Sequence, residues 1–182
     1  MADIVEDVVI KHITALNFAS YAHDGQRRKY TDDPYTVHPI MVARLTNMAD
    51  GATEAMIDAA LLHDVVEDTD ATIDDILDVF GYETADLVRW LTDELTPADG
   101  NRAERKQSYA IRFGDAPAAA QTIKLADMID NTNSICVHDP KFAPSYLAEK
   151  RFMLGFLTKG DARLMTLAKR TLDAWSTYYG VK

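Results

Sequence analysis

The stretch that most constrains the fold runs from Ala59 to Asp70 and reads Ala-Ala-Leu-Leu-His-Asp-Val-Val-Glu-Asp-Thr-Asp. Its apolar start is typical of a buried helix face. If the helix continues for one further turn, His63 lies over Glu67 and Asp64 over Asp68, because side chains four residues apart share a face. One imidazole and three carboxylates in a small volume are costly unless a cation compensates them. The stretch therefore predicts a metal site, and a polar helix end followed by an acidic loop is the alternative.

Two other His-Asp pairs show that the dipeptide alone is weak evidence. His23-Asp24 precedes Gly25, and His138-Asp139 precedes Pro140. Glycine and proline at these positions are typical of turns and loops. Only His63-Asp64 follows an apolar helix, so only that pair is predicted to bind a metal.

Composition narrows the class of protein. The chain has 182 residues, of which 47% are apolar and 26% are charged, and we expect one domain over residues 1–182. No apolar run approaches the roughly 20 residues of a membrane span, and the acidic first residues are unlike a signal peptide. Cys136 is the single cysteine, so no internal disulfide is expected, which fits a cytoplasmic location.

The net charge of −10 argues against binding to nucleic acid or to anionic membranes, because both need a basic face. A small anionic substrate needs only a local basic patch. Two such patches exist, at 27–29 and 102–106. Each is either a solvated charged face or a wall of a phosphate-binding pocket.

Apolar residues at helical spacing predict an all-α protein. The predicted helices are 3–22, 39–49, one from a Thr53 cap to His63, 73–80 between a Thr72 cap and a Gly81 stop, 83–95, about 102–113, 116–131, about 145–159, and 161–179 after an Asp161 cap. The architecture is a helical bundle of about seven to nine helices. His38 is expected to be extended at a helix entrance because Pro39 follows it.

The helix at 116–131 is apolar nearly all round, yet Lys124, Asp127 and Asn131 share one stripe. A buried polar stripe must be satisfied by partners. A structural Lys-Asp pair would do so. A metal-binding aspartate with a substrate-binding lysine and asparagine is the rival interpretation.

Several motifs in the right order resemble the HD metal-dependent phosphohydrolases, and more specifically the hydrolase domain of the Rel/SpoT alarmone enzymes and their stand-alone small relatives. The matching segments are Ala22-His-Asp-Gly-Gln-Arg-Arg-Lys, Pro34-Tyr-Thr-Val-His-Pro, the Ala59 stretch, Phe80-Gly, and Lys124-Leu-Ala-Asp followed by Asn131. They cover about residues 18–135.

The resemblance implies hydrolysis of the 3′-pyrophosphate of ppGpp and pppGpp, which gives GDP or GTP and pyrophosphate. It implies a manganese ion held by His38, His63, Asp64 and Asp127, whereas the donor types alone also suit iron or zinc. Glu67 and Asp68 match the acidic pair at the reactive water, and Asn131 matches an asparagine near it. The implied substrate contacts are Arg28, Lys29, Arg102, Lys124, Ser134, Tyr146 and Lys150.

Three departures bear on substrate choice. Met128 and Asp130 replace an arginine and a histidine of the family pattern, and Asp32-Asp33 lengthens the basic loop. Another nucleotide, such as NADPH or a deoxynucleotide, is therefore an alternative substrate. A regulatory module that binds nucleotide without cleaving it is a further alternative, although an intact Glu67-Asp68 pair argues against it. The preferred alarmone, the native metal and the possibility of a homodimer stay open.

Overall fold

The computed structural model describes the backbone of residues 2–181 and the side chains of residues 12–181. The helices are α1 (Ala2–Ala22), α2 (Val37–Thr46), α3 (Glu54–Leu62), α4 (Val65–Asp68), α5 (Ile73–Phe80), α6 (Tyr82–Leu91), α7 (Arg102–Gly114), α8 (Ala118–His138), α9 (Ala143–Leu154) and α10 (Ala162–Tyr179). A 3₁₀ turn spans Pro97–Asp99. Nine of the ten helices found in 2–181 have eight residues or more, and that range contains no strand, so the predicted all-α class is confirmed.

The helix ends that were predicted from capping residues are confirmed. Thr53 accepts a hydrogen bond from the Met56 amide, and Thr72 forms a capping box with Asp75. Gly81 has a φ of 83°, and Asp161 caps α10. Each cap satisfies backbone groups that the helix itself leaves open.

Several boundaries differ from the predictions, and the helices predicted at 39–49 and 145–159 end earlier, at Thr46 and Leu154. The helix does not run on through His63, because α3 ends at Leu62 and a separate turn, α4, starts at Val65. His38 lies inside the first turn of α2, where the missing N–H of Pro39 costs nothing, and is not extended before it. Helix α8 continues to His138 and ends just before Pro140, so that histidine is helical. Helix α6 ends at Leu91, where the Thr92 hydroxyl and amide both bond to the Val88 carbonyl.

The chain forms two compact units, which divide between Thr92 and Asp93. In the first unit α3 packs against α1, α2 and α6, and α5 packs against α6. Its buried apolar side chains include Val42, Leu62, Val65, Ile76 and Val88. Since α3 lies among three other helices, the helix that leads to His63 is held from several sides.

In the second unit α8 packs against α9 and α10, and α7 packs against α9. Its largest buried side chains are Phe113, Ile123, Leu125, Met128, Leu147 and Leu157. The expectation that residues 1–182 form one domain stays a prediction. Across residues 2–181, no helix is both long and apolar enough to cross a bilayer.

Candidate metal centre

Three potential metal ligands converge in the first unit. His38 comes from α2, His63 follows the last residue of α3, and Asp64 precedes the first residue of α4. One ligand atom from each lies within 4.8 Å of the others. The Asp64 Oδ2 atom is 3.1 Å from His63 Nε2 and 3.6 Å from His38 Nε2. The interruption of the helix at the His-Asp pair thus places both imidazoles against one carboxylate oxygen.

The hydrogen bonding of His63 shows that this donor set suits a cation. Its Nδ1 lies 2.9 Å from the Ala60 carbonyl oxygen, which can only accept, so Nδ1 carries the proton. In the neutral imidazole the Nε2 lone pair then points at the anionic Asp64 oxygen. Lone pairs facing each other repel unless a cation or a proton lies between them. Two imidazoles that are 1% and 2% exposed and one carboxylate fit a divalent metal of the manganese, iron or zinc type.

Tyr35 is a donor to this site that sequence reasoning missed. Its hydroxyl lies 2.6 Å from Asp64 Oδ2 and 3.1 Å from Asp68 Oδ2. Burial, and then the charge of Asp64, raise the pKa of Tyr35 well above its ordinary value, so the phenol stays protonated. The spacing of Tyr35 three residues before His38 was the available signal, because a turn of that length returns the side chain toward the histidine.

Asp68 shares the Tyr35 hydroxyl with Asp64. Partial burial, and then the charge of Asp64, raise its pKa above the ordinary value, while the Tyr35 hydrogen bond and His23 oppose this shift. A carboxylate with a raised pKa is a stronger base at neutral pH. Both Asp68 and Glu67, one residue earlier, retain solvent exposure. The amide of Asp68 also bonds to the Asp64 carbonyl at 2.9 Å, so the expected proximity of Asp64 and Asp68 holds although the longer helix does not.

The polar stripe of α8 lies in the second unit. Lys124 Nζ is 2.9 Å from Asp127 Oδ2, and Asn131 donates to the other oxygen, Asp127 Oδ1. Asp127 itself is 5% exposed. The structure therefore contains the Lys-Asp pair that one interpretation of the sequence required. Asp127 as a metal ligand stays a prediction.

Further cations and tyrosines surround that stripe. Lys150 Nζ lies 5.1 Å from the ring centroid of the buried Tyr146, and Lys124 Nζ lies 5.4 Å from that of Tyr109. Burial, and then the positive charge of Lys124, lower the pKa of Lys150 to about 8. Ser134 is half-buried on α8. The charged form of Lys150 is thus disfavoured beside Lys124, and a bound anion would stabilise it.

The remaining predicted substrate contacts are more exposed. Arg102 makes two 2.9 Å bonds to the Glu149 carboxylate, so its guanidinium already has an anionic partner. Arg28 is half-buried, and Lys29 contacts both the hydroxyl and the ring of Tyr30. Met128 is 1% exposed and is a core residue of its unit.

Comparisons with known proteins place these residues in a wider context. The HD domain family profile matches residues 15–151. The chain is 37% identical over 132 residues to the guanosine-3′,5′-bis(diphosphate) 3′-pyrophosphohydrolase MESH1 of Drosophila melanogaster. The matched region covers 71% of this chain and 72% of that protein. The Homo sapiens MESH1 is 38% identical over 125 residues, or 68% of each chain.

The fold is also similar to a solved structure. A metazoan ortholog of SpoT that hydrolyses ppGpp superposes with a TM-score of 0.79 at 31% sequence identity. The superposition covers 94% of this chain and 97% of the other. The predicted resemblance in sequence is therefore matched by a resemblance in fold.

Proposed function

This chain belongs to the HD domain family, and from that premise we propose that it is a metal-dependent hydrolase that removes the 3′-pyrophosphate of ppGpp and pppGpp. The observation that carries the proposal is the convergence of His38, His63 and Asp64. The Ala60 carbonyl holds the proton of His63 on Nδ1, so that Nε2 faces Asp64. The names of the Drosophila and human relatives, and of the solved SpoT ortholog, support the substrate.

We propose His38, His63, Asp64 and Asp127 as the metal ligands and manganese as the native ion. The first three already form a compact donor set. Asp127 is a nearly buried carboxylate on α8 whose present cationic partner is Lys124, and a divalent ion would compensate the same negative charge. A divalent cation held there would act as a Lewis acid toward phosphoryl oxygens and would lower the pKa of water.

The reaction requires water to attack the phosphorus next to the 3′-oxygen, so that the P–O3′ bond breaks. The water loses a proton and the 3′-oxygen gains one, which leaves GDP or GTP and pyrophosphate. Asp68, with its raised pKa, or the exposed Glu67 beside it accepts the proton from water. Asn131 orients the same water through its amide.

Cationic side chains offset the charge that develops on the phosphoryl oxygens. We assign this role to Lys124, Lys150 and Arg102. Burial disfavours the charged form of Lys150, so a bound phosphate would stabilise that form most at this residue. Tyr146 and Ser134 contribute polar contacts, while Arg28 stacks on the guanine and Lys29 supplies a point charge. Arg102 has to exchange Glu149 for phosphate in this scheme.

The experiment that tests the proposal is hydrolysis of ppGpp with and without Mn²⁺, with separate assays for pyrophosphate and orthophosphate. We expect pyrophosphate, no turnover in the presence of a chelator, and no turnover or Mn²⁺ binding by His63→Ala. His138→Ala is the matched control, because it alters another His-Asp pair, at the exposed end of α8. Release of orthophosphate would instead indicate a different nucleotide phosphatase, and binding without any product would indicate a regulatory module.

A further inference from the structure

His23 is buried beside the candidate metal centre but is none of the expected ligands. It follows the last residue of α1 and is 3% exposed. Its Nδ1 lies 2.9 Å from the Gln26 Oε1 atom, and the Gln26 amide nitrogen donates to the Asp68 carbonyl at 3.0 Å. Two side chains from the turn after α1 therefore connect to the backbone of the proposed proton acceptor.

The donor and acceptor roles in this chain of bonds are fixed by chemistry. A carbonyl oxygen only accepts, so the NH₂ group of Gln26 faces Asp68 and its oxygen faces His23. The Gln26 oxygen also only accepts, and His23 Nδ1 therefore carries a proton. Gln26 is itself anchored, since its amide bonds to the His23 carbonyl at 2.9 Å and its carbonyl accepts from the Tyr35 amide at 3.1 Å.

The ring of His23 also contacts Tyr35. The two ring centroids are 4.5 Å apart and the planes are tilted by 34°. Tyr35 in turn shares its hydroxyl between Asp64 and Asp68, and a phenol has one proton to donate. His23 thus touches both groups that hold Asp68, Gln26 at its backbone and Tyr35 at its side chain.

A role limited to packing does not explain this histidine. Its Nε2 is buried and has no hydrogen-bond partner within the described part of the chain. Burying an unpaired polar nitrogen costs desolvation free energy that an apolar side chain of similar size would avoid. The Nδ1 proton that holds Gln26 is the feature that an apolar side chain could not supply.

We propose that His23 is a positioning residue that, through Gln26 and Tyr35, fixes the carboxylate of Asp68 for proton transfer. The proposal rests on the proposed function, because it assigns Asp68 to the reactive water. Positioning of a general base affects the chemical step more than binding, since the base contacts the water and not the leaving nucleotide.

The kinetic test compares His23→Leu with His23→Asn, whose amide places an N–H donor near the position of Nδ1. We expect His23→Leu to lower kcat by about 10- to 100-fold and to leave KM and Mn²⁺ affinity within about threefold. His23→Asn should recover most of that loss. Gln26→Leu should resemble His23→Leu, and the double variant should be no slower than the slower single variant, because loss of His23 already removes the bond that holds Gln26.

A spectroscopic test does not depend on turnover. The protein contains eight tyrosines, and in chains labelled with ¹³C at the tyrosine hydroxyl carbon the Tyr35 signal is the one lost in Tyr35→Phe. That signal should shift in His23→Leu and in Gln26→Leu, and should stay in place in the control variant His138→Leu.

The outcomes separate the two proposals. Unchanged kcat in His23→Leu, absence of recovery by His23→Asn, additive losses in the double variant, or parallel loss of Mn²⁺ affinity would each overturn the positioning role. If His23→Leu does not fold, Gln26→Leu and His23→Asn decide by the same criteria. If the wild-type protein releases no pyrophosphate from ppGpp, the proposed function fails, and an unmoved Tyr35 signal would then overturn the positioning contacts independently.

Discussion

The chemistry of the donor set depends on where individual protons lie. His63 is held by the Ala60 carbonyl in the tautomer whose neutral ring has its lone pair on Nε2, and Tyr35 donates its hydroxyl proton to Asp64. The sequence predicted the imidazole and the carboxylate because they sit together in the chain. The spacing of Tyr35 from His38 was the one signal for Tyr35, and the contact of Tyr35 with Asp64, 29 residues away, depends on how the segment before α2 packs near the end of α3.

The first prediction at this scale concerns Glu67. Glu67→Gln keeps the size of the side chain but removes a carboxylate that could accept the proton from water. We expect Mn²⁺ affinity to stay within about threefold while kcat falls by about 100-fold or more. Isothermal titration with Mn²⁺ and steady-state rates on ppGpp measure the two effects separately. Asp68→Asn should lose activity as well, and full activity in both variants would exclude the acidic pair from proton transfer.

The second prediction concerns the buried Cys136, whose pKa burial raises to about 11. A thiol with a raised folded-state pKa contributes stability below its unfolded pKa of about 8.5, and this contribution is lost as the pH rises toward the folded value. We expect the difference in unfolding free energy between the wild-type protein and Cys136→Ala to shrink between pH 8 and pH 10.

Urea unfolding of both proteins at several pH values measures that difference, and other titrating groups cancel in the subtraction. A constant difference would show that the thiol is not protected by the fold. Alkylation should agree, since iodoacetamide needs the thiolate and should react slowly with the folded protein at pH 7.5.

At the scale of elements, the informative feature is the break between α3 and α4. The sequence allowed the predicted helix to continue for one turn past His63, because Leu61 to Glu67 contains neither glycine nor proline. The structure interrupts it at His63 and Asp64, which places Asp64 Oδ2 against both imidazoles. Helix propensity is a weak preference, and tertiary packing or ligand geometry overrides it over a turn or two. Capped ends were predictable because their hydrogen bonds are local, whereas this break was not.

The third prediction concerns the N-terminal cap of α5. Thr72→Ala removes the side-chain oxygen that accepts from the Asp75 amide at the start of α5, and should lower the free energy of unfolding by about 1 kcal/mol. Thr72→Ser keeps that oxygen and should lose much less. Chemical denaturation measures both, and equal losses in the two variants would mean that the methyl group, not the cap, stabilises the helix.

At the scale of the whole molecule, the all-α class followed from helical periodicity along the entire chain. The division into two units after Thr92 did not, because the turn that Pro97 and Gly100 indicate a few residues later looks like any other connection between two helices. The candidate site was predictable to the extent that its motifs are short, as in Ala59–Asp70. The pairing of Lys124 with Asp127 lies within one helix and was predictable, whereas the pairing of Arg102 with Glu149 joins α7 to α9, depends on helix packing and was not.

The last prediction concerns which residues bind the metal, as measured by how much Mn²⁺ raises the unfolding temperature. An ion that binds only the folded protein stabilises it by about 2.7 kcal/mol at a hundred times its Kd, which for a chain of this size is a rise in unfolding temperature of about 5–10 °C. Mn²⁺ should produce this rise in the wild-type protein and not in Asp64→Asn, which loses the carboxylate shared by both imidazoles.

If Asp127 is the fourth ligand, Asp127→Asn should also reduce the rise, whereas Asp130→Asn on the same helix should not. Differential scanning calorimetry across a Mn²⁺ series measures all four proteins. A full rise in Asp127→Asn would show that the Asp127 carboxylate does not bind the ion and serves only as the partner of Lys124 and Asn131.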